Sequence, residues 1–172
     1  MSPRARQESS TTTPEDPAER AREIALRLLT HSARSTAQLH DGLTSRDVDP
    51  GVADEIIARY IEVGLLDDAA LAATIARTRH AERGRSRRAI AQELRRKGFE
   101  ADHIERAIEQ IDDEDEHDAA RELAAKRWKS LEGLDDQVRT RRVVSMLGRR
   151  GYGPNLAFAL VNELRRADTA DD

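Results

Sequence analysis

The chain has no cysteine among its 172 residues, which removes disulfides, thiolate metal ligands and thiol catalysis together and fits a reducing compartment. Aromatic residues make up only 3%, while apolar residues reach 38% and charged residues 36%. That balance suits thin amphipathic helices better than one thick core. No apolar run approaches the roughly 20 residues a membrane-spanning helix needs. The opening Met1-Ser2-Pro3-Arg4-Ala5-Arg6 leads into polar Gln7-Glu8-Ser9-Ser10-Thr11, without the apolar centre of a secretory signal. A soluble, cytoplasmic protein is expected.

What is abundant is charge, and its distribution says more than its sum of -4. Between Arg77 and Lys97 stand nine basic residues against two acids, Glu82 and Glu93. Asp112-Asp113-Glu114-Asp115-Glu116-His117-Asp118 follows, almost wholly acidic, and reads as a solvated linker joined to a helix N-terminus, where negative charge is favoured. Residues 1–15 carry Ser, Thr, Pro and Arg with little to bury, and predict a disordered tail. Residues 167–172 read as an acidic C-terminal tail.

In the rest of the chain apolar residues recur at spacings of three and four, with no period of two, so the fold class is all-α. A repeat of about 50 residues underlies the pattern. With Ser35, Ser86 and Arg139 as equivalent starts, Leu39, Ile90 and Val143 fall four residues on, and Leu43, Leu94 and Leu147 eight on. Basic Arg46, Lys97 and Arg150 then precede Asp47, Gly98 and Gly151, residue types that accept the left-handed conformation ending a helix. Pro50 and Pro154 stand where a new helix starts. Each repeat therefore reads as three helices: first helices near 16–30, 68–83 and 115–130, second near 36–46, 87–97 and 136–150, third near 50–63, 101–111 and 154–166. The domains are 16–66, 67–112 and 113–166, three tandem three-helix repeats in an elongated, curved arrangement.

No catalytic constellation survives its geometric requirements. Asp47-x-Asp49-x-Gly51 has its glycine one place early for a calcium loop, and Ala58 stands where a bidentate Glu is required. The five histidines never share a helix face at metal-ligand spacing. Walker, G-x-G-x-x-G and G-x-S-x-G stretches are missing. Neither enzyme activity nor a cofactor nor a metal is expected. What remains is a basic stripe: Arg85, Arg87 and Arg88 open the second helix of the middle repeat, Arg95, Arg96 and Lys97 close it, and Arg141, Arg142, Arg149 and Arg150 extend it into the third repeat. Cations at a helix N-terminus oppose the helix dipole and need another reason to be there. Guanidinium groups on an outer face suit phosphates or a carboxylate-lined groove. Phe99 and Tyr152 read as corner-packing residues, and Trp128 and Tyr60 as core, so stacking on bases is not expected.

Several segments taken together resemble the RecX regulatory proteins. They are Ala33-Arg34-Ser35-Thr36-Ala37-Gln38-Leu39, Gly64-Leu65-Leu66-Asp67-Asp68 with Leu71-Ala72, Arg79 and Gly84, Ile90-Ala91-Gln92-Glu93-Leu94-Arg95-Arg96-Lys97-Gly98-Phe99, and Leu147-Gly148-Arg149-Arg150-Gly151-Tyr152. The likeness runs from about residue 20 to 165, and G-L-L-D-D, E-L-R-R-K-G-F and R-R-G-Y in this order carry it. Leu71 departs where the family usually has an aromatic, and Asp47 where many relatives have Gly. With few apolar residues to expose, the chain is expected to be a monomer. The resemblance implies a modulator of the RecA recombinase that binds in the groove of its filament on DNA and inhibits ATP hydrolysis and strand exchange, in recombination, repair and the SOS response. An independent DNA-binding helical repeat protein is the competing expectation.

Overall fold

The computed structural model describes residues 16–171, and the tail expected over 1–15 lies outside them. Nine helices and no strand occur among the described residues: α1 (Pro17–His31), α2 (Thr36–Thr44), α3 (Pro50–Glu62), α4 (Asp68–Arg83), α5 (Arg87–Arg96), α6 (Ala101–Glu109), α7 (Asp113–Lys129), α8 (Asp136–Arg149) and α9 (Pro154–Asp171). Local chemistry explains most of the starts. Asp16 and Asp49 accept the first free amides ahead of Pro17 and Pro50, Ser35 and Ser86 cap α2 and α5, and Asp67 caps α4. Each oxygen satisfies a donor the helix cannot pair internally.

Every substantial helix pairing lies within one triplet, so the chain is three modules, α1–α3, α4–α6 and α7–α9. Each has its own core. Leu39, Ile90 and Val143 are fully buried, as are Leu43, Leu94 and Leu147, which places the three second helices in the register the repeat demanded. Asp47, Gly98 and Gly151 all have positive φ, at 61°, 78° and 95°, and Phe99 and Tyr152 are buried just beyond the latter two.

Two expectations are corrected. The acidic run is the expected helix N-terminus without the expected linker: Asp112 caps α7 through the Asp115 amide, Asp113 to Glu116 form its first turn, and Lys126, Arg127 and Lys129 its last, with both ends complementing the dipole. The expected tail at 167–172 is helical up to Asp171. Asp168 anchors it, accepting hydrogen bonds from Trp128 Nε1 and Arg139 Nη1, each at 2.8 Å. Those two bonds hold the Asp168 carboxyl below its ordinary pKa. Arg139 itself lies within α8, which starts one turn earlier under an Asp135 cap, and its guanidinium stacks 3.8 Å from the Trp128 ring centre.

The modules meet end to end through their second helices. Ser35 Oγ, at the N-cap of α2, donates to the carbonyl of Lys97, the C-cap of α5, at 2.6 Å. Ser86 N, at the N-cap of α5, donates to the carbonyl of Arg150, the C-cap of α8, at 3.0 Å. The N-cap of one second helix thus meets the C-cap of the next, in the order α8, α5, α2, and an end carbonyl of one helix is satisfied by its neighbour. Gly98 and Gly151 sit at these junctions: a Cβ on Gly98 would come 2.5 Å from Ala37 Cβ, and one on Gly151 would collide with Ser86 and Ala89.

Candidate partner-binding surface

The ten cations of the expected stripe divide into five that bond to other parts of the chain, Arg87, Arg88 and Arg150 through their guanidinium groups and Arg85 and Lys97 only through their backbone carbonyls, and five exposed ones that do not. Arg87 is half-buried. Its backbone amide donates to Glu116 Oε1 at 2.8 Å, Nε donates to Glu116 Oε2 at 3.1 Å and Nη1 to the Ile111 carbonyl at 3.2 Å, while Nη2 meets Asp113. Here is the reason for an arginine at a helix N-terminus: the carboxylates of α7 come to it from the next module. The sequence places Arg87 on an outer face; its guanidinium is instead committed inside the chain. Arg88 Nε donates to the Gly151 carbonyl at 3.2 Å, and Arg150 Nε to the Arg83 carbonyl at 3.1 Å. Lys97 gives its carbonyl to Ser35. Arg85 is partly buried in the turn before α5, where its carbonyl faces His80 Nδ1 at 3.2 Å.

Arg95, Arg96, Arg141, Arg142 and Arg149 form the other set. All five are exposed, and none makes a side-chain hydrogen bond or ion pair among the described residues. They lie on the outward faces of α5 and α8, opposite Ile90, Leu94, Val143 and Leu147. On α2 the positions equivalent to Arg95 and Arg96 hold Thr44 and Ser45, so at this place on the second helices module 1 offers no matching pair of arginines. Inside module 2 one cation of the basic segment is neutralised locally: Arg79 pairs with Glu93 at 2.9 Å, both largely buried, and the bond to Arg79 holds the Glu93 carboxyl below its usual range.

Two neighbouring grooves were not legible in the sequence. Arg149 and Arg150 share one with Lys126 and Arg127 of α7, which places Lys126 beside the stripe. A second, between α8 and α9, carries Arg141 beside Phe158 and Arg165. Phe158 is 50% exposed, an aromatic to which the sequence pattern assigns no place. Tyr60 packs partly buried against the first core and Trp128 lies in the third. Tyr152 is buried with its hydroxyl unpartnered, and burial pushes its pKa up to about 12.

No group of His, Asp and Glu among the described residues could hold a metal ion, and no described helix is long and apolar enough to cross a membrane. What the outward faces of α5 and α8 offer is positive charge, suited to anionic partners.

Comparison with known proteins agrees with this architecture. Three family models match in order: the first three-helix domain of RecX at residues 21–59, the second at 67–108 and the third at 113–161. Regulatory protein RecX of Streptomyces lividans is 42% identical over 158 residues, covering 92% of this chain and 84% of the relative. That of Thermobifida fusca is 42% identical over 155 residues, covering 90% and 84%. The crystal structure of RecX from Lactobacillus salivarius superposes with a TM-score of 0.74 at 21% identity, covering 87% of this chain and 97% of that one. With its three triplets in the family's order and that identity over nearly its whole length, the chain belongs to the RecX family of regulatory proteins.

Proposed function

We propose that the chain binds the filament of the RecA recombinase on DNA and inhibits its ATP hydrolysis and strand exchange. The observation that carries this reading is the set of exposed, unpartnered arginines, Arg95, Arg96, Arg141, Arg142 and Arg149, along the α5–α8 line. A filament groove presents carboxylates and phosphates, which guanidinium groups engage in pairs of parallel hydrogen bonds. The mechanism is occupancy of the groove and requires no catalytic group. The protein acts as a monomer.

The test titrates the protein against the single-stranded-DNA-dependent ATPase of the recombinase. Arg95→Ala, Arg96→Ala and Arg149→Ala combined remove charge without touching the module junctions, and Ala is the best helix former. The expected result is a loss of inhibitory affinity of at least about tenfold, each charged hydrogen bond removed being worth about 1.5–3 kcal/mol, with a shallower dependence on salt. Arg20→Ala with Arg106→Ala, on exposed faces of other helices, should match the wild type. Unchanged inhibition by the triple variant, shown folded by circular dichroism, overturns the reading. Binding to DNA alone, with no effect on the recombinase ATPase, favours the independent DNA-binding protein instead.

A further inference from the structure

The groove between α8 and α9 has a volume of about 440 Å³ and is lined by Arg141, Arg165, Phe158, Thr140, Gln137 and Ser145, with Asp136 and Val144 completing it. That volume lies at the lower end of the roughly 300–1,000 Å³ of small-ligand sites. Its aromatic is not required by the fold, and the repeat supplies the control. Ala53, Ile104 and Ala157 are buried equivalents in α3, α6 and α9, as are Ile56, Ala107 and Leu160, so the register between the third helices is secure. In that register Phe158 corresponds to Asp54 and Glu105, both exposed acids. The scaffold is content with a carboxylate at this outward position twice, and module 3 alone places a half-exposed ring there.

The arginines repeat the argument. Arg141 corresponds to Arg88, whose guanidinium is taken by the Gly151 carbonyl of the next module. No module follows α7–α9 among the described residues, so Arg141 stands exposed and unpartnered at the groove. Arg165 keeps one contact, from Nε to Asp136 Oδ2 at 3.4 Å, which orients the side chain on the groove wall with half its surface exposed. Asp136 also faces Arg139 at 3.7 Å, so its charge is shared between two guanidiniums.

From this arrangement we propose that the α8–α9 groove holds one unpaired nucleotide of a single strand of DNA, with the base stacked on Phe158 and the adjoining phosphates on Arg141 and Arg165. A ring face accepts any base, and the guanidiniums follow the backbone, so the site reads strandedness rather than sequence. Thr140, Gln137 and Ser145 offer polar groups to the base edge or sugar. The filament reading supplies the strand in the cell, but the site itself needs no recombinase.

The experiment is therefore run without one. Fluorescence anisotropy of a labelled oligothymidine of about 12 nucleotides is compared with an oligomer of the same length made of abasic units. Phe158→Ala should weaken oligothymidine binding roughly tenfold, within the range seen when a stacking residue is removed, and leave abasic binding unchanged. Phe158→Trp should restore it. Arg141→Ala with Arg165→Ala should weaken both probes and reduce the salt slope by about 0.7 for each phosphate no longer neutralised. Phe158→Ala binding oligothymidine as the wild type does, or losing as much affinity for the abasic probe, overturns the proposal. So does a wild type that binds neither probe while Phe158→Ala weakens filament inhibition, since the ring would then contact protein. Failure of the recombinase reading leaves this assay untouched, and failure here leaves the ATPase titration untouched.

Discussion

The junction of modules 1 and 2 and the junction of modules 2 and 3 use the same parts and bond them differently. In both, an N-cap serine meets the C-cap carbonyl of the following module's second helix. At α2 the third helical residue is Gln38, whose side chain accepts from the Ser35 amide at 3.2 Å; with that amide taken, the hydroxyl crosses the junction. At α5 the third residue is Ala89, which cannot close a capping box, so the Ser86 amide itself crosses. The surrounding ties differ as well. Junction 1 adds Asp68, which accepts from Thr36 N at 2.9 Å and Thr36 Oγ1 at 2.8 Å. Junction 2 adds Arg87, Arg88 and Arg150, each reaching across to a carboxylate or a carbonyl. The lesson concerns charge: part of the most basic segment of the chain is committed to holding the repeat together, and only what is left over is available to a partner.

The comparison breaks most severely at the glycines. Gly98→Ala and Gly151→Ala each force a side chain into positive φ, costing about 1–2 kcal/mol, and drive a Cβ into the preceding module. The collision at Gly151 involves both Ser86 and Ala89, whereas that at Gly98 involves Ala37 alone. Gly151→Ala should therefore destabilise by about 2–4 kcal/mol, exceeding Gly98→Ala, as read by urea unfolding.

A smaller effect separates the junctions by their ties. Glu116→Ala removes the carboxylate that binds Arg87 twice and should cost about 1–2 kcal/mol, less than a fully buried pair because Arg87 is partly exposed. Amide exchange at Ser86 should accelerate in this variant and with added salt, while Thr36 keeps its protection. Asp68→Ala should do the reverse, accelerating Thr36 and sparing Ser86. Equal responses at both amides in either variant would show that the junctions are not independent.

The smallest effect is a gain. Tyr152 corresponds to Phe99 in module 2, and its buried hydroxyl has no partner. An unpaired buried polar group is destabilising, so Tyr152→Phe should stabilise by up to about 1 kcal/mol in the same unfolding assay. A drop in stability would place a bonded water or another partner on that hydroxyl.

Much of this was legible in the amino acids because it depends on local rules. Helix starts follow from Asp-Pro and Ser caps, helix ends from residues that accept positive φ, and the core from apolar spacing, all of which act within a few residues of each other. The repeat made those signals count three times, so the register of Leu39, Ile90 and Val143 followed from sequence alone, and so did the family. The basic segment could be found the same way, but its division could not. Whether Arg87 faces a partner or Glu116, 29 positions away, depends on where α7 returns, and a one-dimensional pattern carries no such information. The same holds for Asp168, whose acidic neighbourhood reads as tail until Trp128 and Arg139 are brought against it, and for Phe158, which periodicity alone could not place on the surface. Sequence determined the elements, their order and the sign of the charge. Tertiary structure decided which charges are neutralised and which remain exposed, because ion pairing and burial are set by distances between modules, not along the chain.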